Sequence, residues 1–234
     1  MKGYFDLSHV CDENTYHPFG FAYFRNIQMF PSHGCRHAVV TMSLHFGTHM
    51  DAPWHMVEKG KRLDAITIEE LVGEAVVVDL SAKYGPDAGN AGAIALDDLQ
   101  KALSSHSLSV KPGDALIIYT GWKPLFASDP QRYYREYRTL KQETALWLVN
   151  SGIRLFGIDA PDVDPPEEYA VVPFVPKIHH LLLEKEIYII ENVGGEVAEL
   201  LNERVLLIPA PLKFGGEYAS GAPVRLLATR PGRV

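Results

Sequence analysis

The side chains best able to do chemistry crowd into one short segment of the chain. The segment HFGTHMDAPWH places His45, His49, Asp51 and His55 within eleven residues. Imidazole nitrogens and carboxylate oxygens together suit zinc, manganese or iron, and one loop can supply half of a coordination shell. The segment therefore predicts a metal site. The alternative is that these are ordinary loop residues that only cap, stack or form hydrogen bonds.

The four-residue spacing of these histidines does not indicate a helix. Gly47 weakens a helix, and Pro53 would break one. We expect His45 to end a strand and the following residues to form a tight turn that folds back on the same point. Gly47 would then let the backbone pass close to the metal.

One loop seldom completes a metal site, so further ligands are expected from elsewhere in the chain. The segment KIHHLLLEKEIYIIENV offers His179 and His180 on a short apolar helix and Glu191 at the end of a strand. A carboxylate after a buried strand is either an exposed strand end or a group directed at positive charge. The residues alone do not decide between the two histidines.

Alternating strands and helices must position these groups. Apolar, β-branched runs predict buried strands; they lie at 75–79, 115–120, 155–159, 187–191 and 205–208. Helical signals follow Thr67, where Glu70 completes a capping box, and recur over 97–104 and 139–150. Two further strands are expected near 4–7 and 36–44. The pattern predicts an α/β domain with a mixed or partly parallel sheet.

Composition narrows the class of protein. With 234 residues, 47% of them hydrophobic and 22% charged, the chain is expected to form one globular domain over 1–234. A net charge of -7 without a basic stripe argues against nucleic acid as a partner. No apolar run approaches the roughly 20 residues that span a bilayer. Only two cysteines, Cys11 and Cys35, and no signal-peptide pattern at the start favour a cytoplasmic protein.

The segment from His45 to His55 resembles the His-x-Gly-Thr-His-x-Asp-x-Pro-x-His signature of the cyclase family, which includes bacterial kynurenine formamidase and isatin hydrolase. The resemblance runs along most of the chain. Its other matches are Asp6-Leu7-Ser8, Thr120-Gly121-Trp122, Gly157-Ile158-Asp159-Ala160 with Asp164, the late His179 and Glu191, and Gly221-Ala222-Pro223-Val224-Arg225.

The resemblance implies a swivelling β/β/α-type α/β domain and a metal centre of one or two ions, zinc or manganese. It assigns the ligand roles as follows: His45 and His49 to one ion, Asp51 and Glu191 as carboxylates shared between two ions, and His179 to the second ion. His179 is preferred to His180 because it lies twelve residues before Glu191. His55 is expected to be the acid-base residue, and a homodimer or larger homo-oligomer is implied.

This metal chemistry predicts hydrolysis of an amide, lactam or ester, and the resemblance implies a hydrolase that cleaves a C–N bond of a small amide. The substrate would be an aryl formamide such as N-formylkynurenine or a cyclic amide such as isatin, attacked by metal-activated water. Aromatic residues on loops near the metal suit a flat ligand. The predicted substrate-binding residues are Tyr16, His17, Phe19, Trp54 and Trp122. Tyr16 or His17 stands where kynurenine formamidases carry a tryptophan.

Two other functions fit part of the pattern. A non-haem iron oxygenase would use His49, Asp51 and a distant histidine as a facial triad. That assignment leaves His45 and Glu191 without a role. A homologue that binds a metal or small molecule without turnover would keep the same ligands.

Overall fold

The structure is a computed structural model that describes residues 3–18, 22–30, 32–89, 92–170 and 172–232. Within these residues the strands are β1 (Phe5–Asp6), β2 (Tyr23–Gln28), β3 (His37–Thr41), β4 (His49–Asp51), β5 (Gly73–Asp79), β6 (Ala115–Tyr119), β7 (Leu155–Ile158), β8 (Tyr188–Glu191), β9 (Glu203–Pro211) and β10 (Gly221–Thr229). The α-helices are α1 (Ile68–Leu71), α2 (Ser81–Tyr84), α3 (Leu96–Ser105), α4 (Leu125–Ser128), α5 (Pro130–Tyr133), α6 (Gln142–Asn150) and α7 (Lys177–Leu183). Short 3-10 helices lie at Pro53–His55, Leu63–Ala65, Pro166–Tyr169, Val197–Glu199 and Gly216–Tyr218.

The main sheet closes on itself. Its strands follow the order β10-β4-β8-β7-β6-β5-β9, and β9 pairs back with β10, while β1 adds an eighth strand beside β10. Strands β5 to β8 run parallel to one another, and β4, β9 and β10 pair antiparallel with their neighbours. This closed mixed sheet confirms the predicted α/β class. Strands β2 and β3 form a separate hairpin.

Two apolar clusters on opposite faces of the sheet explain why the central strands are continuous hydrophobic runs. Val77 and Ile117 point into the interior of the closed sheet, whereas their neighbours Val76 and Ile118 belong to the cluster under the helices. Helices α3, α6 and α7 cover that outer face, for example through Leu148. Strands buried on both faces lose the alternation of polar and apolar residues. The helices found here include none that is long and apolar enough to cross a membrane.

The predicted elements are present with small shifts of their ends, but the ligand segment folds differently. His49 and Asp51 lie on strand β4, not in a tight turn. His45 follows the end of β3 by four residues and lies in a turn, and His55 ends a 3-10 helix. The segment forms a strand here because it pairs with both β8 and β10 and so closes the sheet. The prediction of a turn over this segment was therefore wrong.

Candidate metal centre

The candidate metal centre forms where strand β4 lies against strand β8. Antiparallel pairing places His49 directly opposite Glu191, and Asp51 pairs two residues further along. Helix α7 brings His179 to the same point, buried beneath the surface. Three separate stretches of the chain therefore supply one cluster. They are the segment 45–55, which holds the turn with His45, strand β4 and the 3-10 helix with His55, and then helix α7 and strand β8.

Two imidazoles and two carboxylates surround a common point. His49 Nε2 lies 3.3 Å from Glu191 Oε2 and 3.6 Å from Asp51 Oδ1. His179 Nε2 lies 3.4 Å from Glu191 Oε1 and 3.5 Å from Asp51 Oδ2. Ligand atoms held tetrahedrally at about 2.0–2.1 Å from zinc are about 3.3–3.4 Å apart. The spacing therefore matches atoms that share an ion.

The carboxylate oxygens in this cluster lack the partners that buried oxygens normally have. Among the described residues, no donor in hydrogen-bonding geometry reaches Asp51 Oδ2 or Glu191 Oε1, and both atoms are buried. Buried polar atoms are almost always satisfied, so such a pair requires a partner. A divalent cation is that kind of partner, and the donor set of imidazole and carboxylate fits zinc or manganese.

His45 and His55 stand side by side at the edge of this cluster. His45 Nδ1 lies 2.7 Å from Asp51 Oδ1, and the rings of His45 and His55 are 4.1 Å apart. The ring of His55 is 5.9 Å from that of His179. One ligand atom from each of His45, Asp51 and His55 lies within 4.8 Å of the others, so geometry alone allows His55 to be a ligand or a neighbour of one.

Hydrogen bonds fix which nitrogen of each buried imidazole faces the cluster. Asp164 Oδ2 lies 2.8 Å from His179 Nδ1, and the carboxylate of Asp164 also accepts the backbone N–H groups of Ile178 and His179. His49 Nδ1 donates to the carbonyl of Gly47 at 2.9 Å. In both residues Nε2 therefore faces the carboxylates, and metal-ligating histidines bind through the nitrogen opposite such a hydrogen bond. The sequence matched Asp164 to the family without giving it this role.

The pKa values of the buried groups indicate a shortage of positive charge. Burial raises the pKa of Glu191 well above its ordinary value of 4.5, and the carboxylates of Asp162 and Asp51 raise it further. Burial alone would lower the pKa of His179, but Asp164 and Asp51 outweigh it and hold the pKa well above 6.5. A cation between these groups would relieve the repulsion and leave His179 neutral.

Asn192 directly follows strand β8 and forms hydrogen bonds with the residues just before strand β4. Its Nδ2 donates to the Gly47 carbonyl at 2.9 Å, and its Oδ1 accepts from Tyr133 at 2.8 Å. Its own carbonyl accepts from the hydroxyl of Thr48 at 2.7 Å. Asn192 and Gly47 both have positive φ, 55° and 63°, a conformation that asparagine and glycine tolerate best. Asn192 therefore holds the carbonyl that orients His49.

Replacing Asn192 with Gly tests this support without straining the backbone. Glycine adopts the same φ and keeps the backbone hydrogen bonds, but it loses the contact to the carbonyl behind His49. We expect the affinity for zinc to fall about 10-fold or more, as for other outer contacts of metal ligands. The dissociation constant is measured by competition with a chromogenic chelator.

The matched control is Asn202→Gly, which also replaces an asparagine of positive φ. Asn202 accepts from the backbone N–H of Asp79, away from the ligand cluster. Its zinc affinity is expected to equal that of the wild type. Equal affinity in both variants would show that Asn192 does not position His49.

A cavity of about 550 Å³ opens onto the cluster. Its wall includes His45, His49, His55, His179 and Glu191. The rest of the wall includes three prolines and the rings of His17, Tyr134, Tyr137, Tyr169 and Phe174. Such a mixture of flat apolar surface and a few polar groups is typical of a site for a small aromatic ligand.

Only some of the predicted substrate-binding residues lie at the cavity. His17 lines the cavity, and the ring of Tyr16 lies 5.8 Å from that of Tyr134 at the edge of the cavity. Trp54 is not part of the described lining; its indole N–H points to the carbonyl of Glu217 at 3.4 Å. Phe19 falls outside the described residues.

The prediction for Trp122 was wrong. Its side chain is fully buried, packs with Phe126 and Tyr133, and donates to the carbonyl of Tyr133 at 3.1 Å. Arg138 lies 5.0 Å from its ring. Trp122 is therefore a core residue that supports Tyr133, not a residue of the cavity wall. The aromatic wall is instead supplied largely by tyrosines that the sequence did not single out.

Comparison with known proteins identifies relatives over most of the chain. A family model described as putative cyclase matches residues 5–165. A kynurenine formamidase of Bacillus thuringiensis (strain Al Hakam) is 31% identical over 187 residues, which cover 80% of this chain and 76% of the relative.

Solved structures share the fold. Isatin hydrolase A from Ralstonia solanacearum has a TM-score of 0.82 at 24% identity, covering 97% of this chain and 91% of that one. A chain from Bacillus stearothermophilus described as a predicted metal-dependent hydrolase has a TM-score of 0.71 at 25% identity, covering 96% and 97%.

The closed mixed sheet, the cluster of imidazoles and carboxylates and these relatives define the class of protein, a metal-dependent hydrolase. More specifically, the chain belongs to the putative cyclase family, and this confirms the resemblance found in the sequence.

Proposed function

We propose that the chain, acting as one domain over residues 1–234, hydrolyses a C–N bond of a small aromatic amide. The substrate would be an aryl formamide, as the name of the kynurenine formamidase relatives suggests, or a cyclic amide of the isatin type. The observation that carries the proposal is a pair of buried oxygens, Asp51 Oδ2 and Glu191 Oε1, that accept no hydrogen bond from the described residues. Both lie near His179 Nε2 at the floor of the cavity.

The proposed ligands are those expected from the sequence. His45 and His49 would hold one ion, Asp51 and Glu191 would be shared, and His179 would hold a second ion. A bound divalent ion lowers the pKa of water to about 7 and polarises a carbonyl oxygen. Zinc and manganese both accept this ligand set.

His55 is the proposed acid-base residue. Burial and the neighbouring His45 lower its pKa to about 3, so the imidazole is neutral at pH 7 and keeps one nitrogen without a proton. His55 lines the cavity, so it can take a proton from the attacking water and return it to the leaving nitrogen. The tyrosines and His17 of the wall would hold the ring of the substrate and exclude water.

We further propose a homodimer or larger homo-oligomer in the cytoplasm, as the resemblance to the family and the sequence imply.

A metal-dependence assay with defined substrates tests this function. The protein is stripped with a chelator, reloaded with zinc or manganese, and assayed with formanilides, lactams and lactones. We expect hydrolysis of at least one aryl formamide or lactam, loss of activity on stripping and recovery on reloading. Turnover that persists after the metal is stripped would contradict the proposal. So would turnover that needs ferrous iron and stops when oxygen is excluded in sealed tubes.

A further inference from the structure

A carboxylate that the proposed ligand set does not use lies on the wall of the cavity. Asp162 lines the cavity beside His179, and about 21% of its side chain is exposed there. Its Oδ1 accepts the backbone N–H of Asp164 at 2.7 Å and lies 3.8 Å from His179 Nδ1. Part of this carboxylate therefore faces whatever occupies the cavity.

The described lining of the cavity contains no side chain that is permanently cationic. That lining contains neither lysine nor arginine, and its titratable groups are histidines, tyrosines and the two acids Asp162 and Glu191. Asp51 and Asp164 lie directly behind it, in contact with His179. The chain as a whole has a formal net charge of -7.

Four carboxylates thus meet at the floor and wall of one cavity. Two divalent ions would neutralise them and leave no excess of positive charge, and one ion would leave two negative charges. A ring carboxylate directed at Asp162 would therefore meet a like charge, with no lysine or arginine of the described lining to pair with. Like charges brought together in a partly desolvated site repel each other, and such repulsion is a common way to reject an unwanted ligand.

We propose that Asp162 makes this cavity select aromatic amides whose ring bears no carboxylate. Neutral and cationic aryl amides are accepted, and substrates of the same shape with a ring carboxylate are rejected. The inference rests on the proposed amide hydrolysis, whose substrate class it specifies. Asp162 acts here as a specificity-determining residue outside the proposed ligand set; one of its oxygens lies within 4.8 Å of ligand atoms of His179 and Glu191.

A matched pair of substrates tests the selectivity. One formanilide carries a methyl ester on its ring, and the other carries a free carboxylate at the same position. At low ionic strength, the kcat/KM of the zinc-loaded wild type is expected to favour the ester about 10-fold or more. In Asp162→Asn that ratio is expected to fall about 10-fold. The asparagine oxygen can still accept the backbone N–H of Asp164. Because both kcat/KM values of a ratio come from the same protein sample, differences in metal content between variants cancel.

The control is Glu167→Gln, which removes an acid from the same loop. Glu167 is exposed and is not part of the described cavity lining. Its ratio is expected to stay within about 2-fold of the wild type, because an exposed charge outside the cavity wall interacts weakly through water. An equal fall in Glu167→Gln would assign the effect to general surface charge and overturn the role of Asp162. A wild-type ratio near one, or no change in Asp162→Asn, would also overturn it.

Binding measurements distinguish a failure of this inference from a failure of the proposed function. Calorimetry with the corresponding aryl methyl ketones, neutral and carboxylated, measures dissociation constants without hydrolysis. The same preference and the same loss in Asp162→Asn are expected. If neither formanilide is hydrolysed while the ketones show this pattern, amide hydrolysis is wrong and the selectivity holds. If the formanilides are hydrolysed and the ketones bind equally well, the selectivity is wrong and the function holds.

Discussion

Replacing Asp51 with Asn is expected to remove the metal and to lower kcat/KM by at least about 1,000-fold. Asp51 Oδ1 lies 2.7 Å from His45 Nδ1 and 3.6 Å from His49 Nε2, and Oδ2 lies 3.5 Å from His179 Nε2. One carboxylate thus faces all three proposed imidazole ligands. The amide lacks the negative charge and offers one oxygen in place of two, so one proposed ion loses a ligand and the other keeps only a neutral one.

Metal content is measured by inductively coupled plasma mass spectrometry after dialysis, and turnover is measured on the best substrate of the assay described above. Asp97→Asn is the matched control, since Asp97 is an exposed acid in the first turn of helix α3. Circular dichroism shows whether each variant is folded. A folded Asp51→Asn protein with full metal content would contradict the assignment of Asp51 as a shared ligand.

Replacing His55 with Ala is expected to lower kcat by about 100- to 10,000-fold while the metal content stays that of the wild type. The imidazole stacks on His45, yet it lines the cavity where a substrate would lie. Loss of a proton-transfer group slows the chemical step, whereas loss of a ligand empties the site. The two measurements together therefore separate the two roles that geometry allows for His55.

His180→Ala is the control for both His55 and the choice of ligand on helix α7. His180 lies next to His179 but is partly exposed and faces Glu184 at 3.9 Å. We expect metal content and kcat close to those of the wild type. Loss of metal in His55→Ala would make His55 a ligand, and loss of metal in His180→Ala would contradict the preference for His179.

The parts of the fold that the sequence predicted are those in which neighbouring residues carry the signal. Strands β5 to β8 are continuous apolar runs because both of their faces are buried, so Val76 and Val77 are equally hydrophobic. The segment from His45 to His55 stands out because three histidines and an aspartate of one site are close in sequence.

The parts that the sequence missed depend on contacts between distant residues. Strand β4 has only three residues and exists through its pairing with β8 and β10, so it has no periodicity of its own. Asn192 reaches Gly47 across 145 positions of the chain. Trp122 and Tyr137 are both aromatic residues near polar neighbours, and only packing decides that the first is core and the second lines the cavity.

The most direct measurement is an anomalous difference map from crystals grown with zinc, recorded on both sides of the zinc absorption edge. We expect a peak within about 2.0–2.2 Å of ligand atoms of His49, Asp51 and Glu191, and further density beside His179 if a second ion binds. A map with no peak among these side chains at saturating zinc, or with its peaks confined to surface histidines, would contradict the account.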